Sequence, residues 1–113
     1  MHELSIAENI IEYATEFAKQ HKAERVLKLE LEIGQLSGVI KESLEFAFEE
    51  TLKNTVLENA TIIISETKGI ARCNNCGTEF ENPDWYTPCP ECTSVNSEII
   101  KGKELLITSI VLA

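Results

Sequence analysis

Positive charge is scarce in this chain. Ten lysines and arginines stand against nineteen aspartates and glutamates, a net charge of −9 at pH 7. A role resting on phosphate neutralisation is therefore not expected, because nucleic-acid binders are basic on at least one face. Such charge suits solubility, a basic partner or a cation. Long apolar runs are missing too, and none approaches the roughly 18 residues of a membrane span. The chain opens Met1-His2-Glu3-Leu4, with neither a basic nor an apolar leader segment, so no secretion is expected and the cytoplasm is. No Gly-rich phosphate loop occurs, so no nucleotide hydrolysis is expected. Histidine is rare, with two in the chain, and spacing places no inward-facing histidine–carboxylate pair. The chain reads as a non-enzyme.

What is present is 113 residues with 43% apolar composition, enough for one domain plus a small module. All four cysteines fall into two C-x-x-C pairs, Cys73-Asn74-Asn75-Cys76 and Cys89-Pro90-Glu91-Cys92, separated by twelve residues. In a reducing compartment this spacing reads as a metal site before it reads as disulfides. Two intervening residues let one tight turn aim both sulfurs at one ion, and two facing turns complete a tetrahedron with Zn–S distances near ~2.3 Å. Gly77 frees the backbone after the first turn, and Pro90 stiffens the second. Zinc leads as the ion. Iron competes, because a Cys-Pro-x-Cys turn also holds iron in rubredoxin-like proteins, but the loop between the pairs is shorter here. Four thiolates leave no open position for water, so the site is structural.

Residues 4–20 carry a helical stripe of Leu4, Ala7, Ile11, Ala14 and Ala18, with Ile10 and Phe17 on the same face. Residues 26–33 alternate, Leu27, Leu29, Leu31 and Ile33 pointing one way and Lys28, Glu30 and Glu32 the other. Gly34 ends that strand, and Gly34-Gln35-Leu36-Ser37-Gly38 turns the chain. A second helix is predicted over 41–52, with Leu44, Ala47, Phe48 and Leu52 inward, an acidic outer face from Glu45 to Glu50, and a Glu49–Lys53 pair. Residues 61–66 predict a strand buried on much of both faces. The segment 70–100 is poor in aliphatics until Ile99 and depends on its metal to fold. The strand 105–112 is too apolar to stand alone and is expected back in the sheet begun by 26–33 and 61–66.

The fold class is therefore α+β: two helices on a three-stranded sheet, with an inserted four-cysteine zinc-ribbon module. One domain comprises residues 1–69 plus 101–113, and the zinc-binding domain 70–100. Their charges are −6 for 1–69, −4 for 70–100 and +1 for 101–113, so neither domain favours nucleic acid. The Met1 amine, the His2 imidazole and the amides of His2 and Glu3 can chelate one ion through fused small rings. Nickel(II) and copper(II) favour such planar nitrogen sites. A solvated His2 and a Glu3 that complements the helix dipole are the plain alternative. His21 is expected at the end of the first helix, exposed or in contact with the C-terminal dipole. Trp85 and Tyr86 suit an interface if exposed, or packing on the cysteine turns if not.

Several of these features together resemble a known family. Met1-His2-Glu3-Leu4-Ser5, the Gly34-Gln35-Leu36-Ser37 loop, Cys73-x-x-Cys76-Gly77 ahead of Cys89-Pro90-x-Cys92, and Gly102-Lys103-Glu104-Leu105 before an apolar strand are similar to HypA/HybF, across the whole chain. That family inserts nickel during [NiFe]-hydrogenase maturation. The resemblance implies nickel(II) as cargo at Met1, His2 and Glu3, and Zn(2+) at Cys73, Cys76, Cys89 and Cys92. It implies a hydrogenase-maturation GTPase and the [NiFe]-hydrogenase large subunit as partners, with urease maturation proteins in some members. Some members bring an acidic side chain from the loop after the first strand towards nickel. Here that loop has no acid before Glu42, so the resemblance carries over no such ligand. The chain is expected as a monomer or homodimer, without membrane or nucleic acid. Two other readings stand beside this one. A zinc-ribbon interaction module of the transcription or translation machinery would be indifferent to residue 2. A rubredoxin-like iron electron carrier would be red.

Overall fold

The computed structural model describes residues 3–113; Met1 and His2, which carry the expected nickel chelate, lie outside the described residues. In chain order the elements are α1 (Glu3–Gln20), β1 (Val26–Gly34), α2 (Lys41–Thr51), β2 (Thr61–Thr67), β3 (Ile70–Cys73), β4 (Glu79–Glu81), β5 (Ser97–Lys101) and β6 (Leu105–Leu112). They form two sheets of three strands each, ordered β2-β1-β6 and β4-β3-β5. The chain leaves the first sheet after β2, builds the second, and returns as β6. The expected α+β arrangement with an inserted cysteine module is the one found.

Helix α1 buries Ala7, Ile10, Ile11, Ala14 and Ala18, the three- and four-residue spacing that one helical face requires. It ends with Lys22 at φ 55° and an Ala23 N–H bonded to the Ala18 carbonyl at 2.8 Å, a left-handed C-terminal turn. His21 sits there as expected, its Nδ1 donating to the Phe17 carbonyl at 2.9 Å. Leu4 departs from the expectation and is exposed. It lines an open groove between α1 and α2, as Phe46 does.

The larger core joins Leu29, Leu31 and Ile33 of β1 to Leu44, Ala47 and Phe48 of α2, Leu57 and Ile64. Strand β1 is central, parallel to β2 and antiparallel to β6. Leu27 does not share the inward face of Leu29. The register slips between Val26 and Lys28 against β6, so Val26 takes the buried position and Leu27 turns out. Strand β2 is not covered on both faces. It is a sheet edge with helices on one side, so Ile64 is buried while Ile63 is exposed. On α2, Lys53 pairs with Glu50 at 3.5 Å rather than with Glu49. Phe46 interrupts the acidic outer face.

Three glycines join the two sheets. A Cβ on Gly34 would lie 2.1 Å from the Gly102 carbonyl oxygen, and one on Gly69 2.5 Å from the Asn82 carbonyl oxygen. Gly102, at φ +104°, would meet the Gly69 Cα at 2.6 Å. The loop after β1 laces this junction. Leu36 N–H donates to Gly102 O at 2.7 Å, Gln35 N–H to Thr67 O at 2.8 Å, and Gly69 N–H to Gln35 Oε1 at 3.0 Å. The segment read as a simple turn is thus also the seam between the modules.

Candidate metal centre

Each cysteine pair sits in the same backbone turn. In the first, Gly77 N–H donates to Cys73 O at 2.9 Å and Cys73 N–H to Thr78 O at 2.9 Å. In the second, Thr93 N–H donates to Cys89 O at 2.8 Å and Cys89 N–H to Ser94 O at 2.9 Å. Gly77 and Thr93 occupy equivalent left-handed positions, φ 78° and 62°. Side chains lock the two turns together, Asn74 Nδ2 donating to Asn96 Oδ1 and Asn75 Nδ2 to Ser94 Oγ, both at 2.9 Å. The leading cysteine of each turn, Cys73 and Cys89, is buried with Ala71 and Phe80, and Ile99 packs against this group. The trailing pair, Cys76 and Cys92, faces outward.

All four sulfurs converge within 4.8 Å of one another. Cys73 and Cys92 sulfurs are 3.5 Å apart, Cys76 and Cys89 3.6 Å. These distances far exceed an S–S bond of about 2.05 Å. They match the edges of a tetrahedron around one ion, about 3.8 Å for Zn–S distances near 2.3 Å. Among the described residues this is the one such grouping of His, Cys, Asp and Glu side chains.

The electrostatics ask for a cation. The Thr78 hydroxyl, 3.2 Å from Cys76 Sγ, and the Thr78 backbone N–H draw the Cys76 thiol down to about 6. The Cys76 backbone N–H lowers Cys73 as well, against the effect of burial. The Ser94 N–H favours a Cys92 thiolate, but the Cys73 sulfur, burial and the other two sulfurs outweigh it and push Cys92 up to about 12. Four thiolates cannot share this volume unaided, and a soft divalent cation relieves the repulsion. The donor set fits a closed four-thiolate site.

The matched turns give a test. Threonine is strained at a left-handed backbone position where glycine is not. Thr93→Gly is expected to stabilise the metal-loaded protein by about 1 kcal/mol, and Gly77→Val to destabilise it by at least as much. Thermal melts compare them. A lower midpoint for Thr93→Gly would mean that the 2.6 Å bond from the Thr93 hydroxyl to Cys92 O outweighs backbone strain.

Of the other expected site residues, Glu3 is described. Its carboxylate accepts from the Ile40 N–H at 3.4 Å, bracing the start of α2, whose N-cap residue has no side-chain cap of its own. Trp85 and Tyr86 are both exposed, Tyr86 at 81%. The sequence reading missed Asn82, fully buried beside Gly69 and bonded to its carbonyl through the backbone at 2.8 Å. Nothing in Glu81-Asn82-Pro83 distinguishes it from an ordinary turn.

The HypA family, described as hydrogenase/urease nickel incorporation metallochaperones, matches residues 1–112. The hydrogenase maturation factor HypA of Parabacteroides distasonis is 46% identical over 112 residues, covering 99% of this chain and 97% of that one. The corresponding factor of Prosthecochloris aestuarii is 40% identical, with 99% of each chain covered. The solution structure of the Ni metallochaperone HypA from Helicobacter pylori superposes with a TM-score of 0.69 at 29% identity, covering 99% of this chain and 97% of that one. A second HypA solution structure gives a TM-score of 0.73, also at 29% identity, with 100% of this chain and 97% of that one covered. With this site and this match along its length, the chain belongs to the HypA family of nickel-incorporation metallochaperones, which are not enzymes.

Proposed function

We propose that this chain carries nickel(II) at its N-terminus and delivers it for assembly of the [NiFe]-hydrogenase active site, with a structural zinc ion at Cys73, Cys76, Cys89 and Cys92. The nickel ligands are the Met1 amine, the His2 imidazole and the backbone nitrogens of His2 and Glu3. The observation that carries this reading is the family match over residues 1–112. The converged sulfurs support the zinc assignment. The first-turn N–H groups of a helix have no intrahelical acceptor, so the Glu3 amide is not committed to α1. Residues 1–69 with 101–113 form the nickel unit, and 70–100 the zinc unit.

A terminal chelate suits transfer, because an incoming ligand can attack before the donor departs. Amine, imidazole and amide nitrogens all lose metal when protonated, so uptake weakens in acid. The partners on this reading are a hydrogenase-maturation GTPase and the hydrogenase large subunit. The matched family description names urease beside hydrogenase, and urease maturation proteins form a second recipient class. The cytoplasm fits, since it keeps thiols reduced and available to metal.

The test is a nickel(II) titration, by calorimetry and visible absorption, of zinc-loaded protein with its native N-terminus. The control carries one extra residue before Met1. Stoichiometric binding is expected for the native form, with loss in the extended form and in His2→Ala. Equal binding by native and extended protein would remove the N-terminal chelate.

A further inference from the structure

Two apolar side chains stand in water at the same end of the molecule. Phe46 of α2 is 68% exposed and Leu4 of α1 51%. With Ala47 they line an open groove of about 650 Å³ between the two helices. Its acidic residues are Glu3, Glu42 and Glu50, and no basic residue lines it. Glu42, Phe46 and Glu50 recur every four residues, so one outward stripe of α2 reads acid–aromatic–acid. The inward face is separately supplied by Leu44, Ala47 and Phe48. Core packing therefore explains neither Phe46 nor its flanks.

We propose that this groove docks an amphipathic helix of a partner protein whose apolar ridge is flanked by lysines or arginines. The groove runs two helical turns along α2, about 12 Å from Glu42 to Glu50. That length takes two or three anchors at i, i+3 or i+4, and i+7. The charge selects the occupant. A second copy would bring acidic rim against acidic rim, and an anionic membrane would be repelled. Glu50 also contacts Lys53 at 3.5 Å, but both side chains are 66% exposed, and a pair that open exchanges readily for a partner's cation. The inference uses only described residues and does not rest on nickel carriage.

The test uses nickel-free, zinc-loaded full chain and a labelled synthetic 18-residue helix with leucines at that spacing and lysines beside them. A scrambled peptide of identical composition is the control, and fluorescence anisotropy across a salt series is the readout. The patterned peptide is expected to bind at least about tenfold tighter than the scrambled one, and Phe46→Ser to remove about that factor. Glu42→Lys with Glu50→Lys, both at exposed positions, is expected to weaken binding and flatten its salt dependence. Equal binding of the two peptides overturns the proposal. So does an unaffected Phe46→Ser, or self-association in sedimentation that Phe46→Ser abolishes.

Discussion

Stripping the metal from the four-cysteine centre is expected to unfold β3, β4 and β5 while the sheet β2-β1-β6 stays folded. The smaller sheet has almost no core of its own. Its buried members are Ala71, Cys73, Phe80 and Cys89, with Ile99 partly covered, and two of these are sulfur donors. Burying one phenylalanine contributes about 1.5–3 kcal/mol. That alone does not offset the backbone entropy lost when the segment is ordered. A structural zinc supplies about 10–16 kcal/mol and cancels four-thiolate repulsion besides. The larger sheet keeps its own core of Leu29, Leu31, Ile33, Leu44, Phe48 and Leu57. Amide hydrogen exchange in a strong chelator reads the difference. Protection is expected to vanish at Ala71 and Cys73 and to persist at Leu29 and Leu31, and Cys89→Ser is expected to behave as the stripped protein does. Surviving protection at Ala71 would mean that the centre is not structural. Iron in the released fraction would replace zinc.

The metal centre was legible because its chemistry is local. Two C-x-x-C pairs at this spacing carry their turns within a few residues each, and Gly77 announced the left-handed position that φ 78° bears out. Its counterpart Thr93 was not legible, since threonine gives no sign of a positive φ. The helices and the β6 return were legible from periodicity and from an apolar strand with nowhere else to go. Errors fell where long-range geometry decides. The slip at Val26–Lys28 depends on β6, far along the chain, and it turned Leu27 outward. The strand 61–66 reads as buried on much of both faces, because composition does not reveal that β2 lies at an edge, where Ile63 is exposed. Leu4 fits the α1 stripe, yet it lines an open groove against α2 and stays exposed. Phe46 was hidden among glutamates that read as a solvated face.

Gly102→Ala is expected to cost at least about 3 kcal/mol, the upper end of overpacking penalties, because two independent faults coincide there. Its φ of +104° lies where an L side chain is strained. Its Cβ would also lie 2.6 Å from the Gly69 Cα and 2.8 Å from the Lys68 carbonyl oxygen. Those atoms are backbone and cannot swing aside as a side-chain tip can. Moving Gly102 strains the 2.7 Å bond from Leu36 N–H to its carbonyl, and with it the loop that ties β1 to both sheets. Gly34→Ala tests the steric part from the opposite side, with the Gly102 carbonyl oxygen 2.1 Å from the added carbon. Both variants are expected to melt roughly 10 °C or more below the parent. Gly38 is the control. It shares a positive φ of 83° but has nothing within 4 Å of an added Cβ, so Gly38→Ala reports backbone strain alone, about 1 kcal/mol. If Gly102→Ala costs no more than Gly38→Ala, the junction yields to an added methyl, and the two modules are joined more loosely than three touching glycines require.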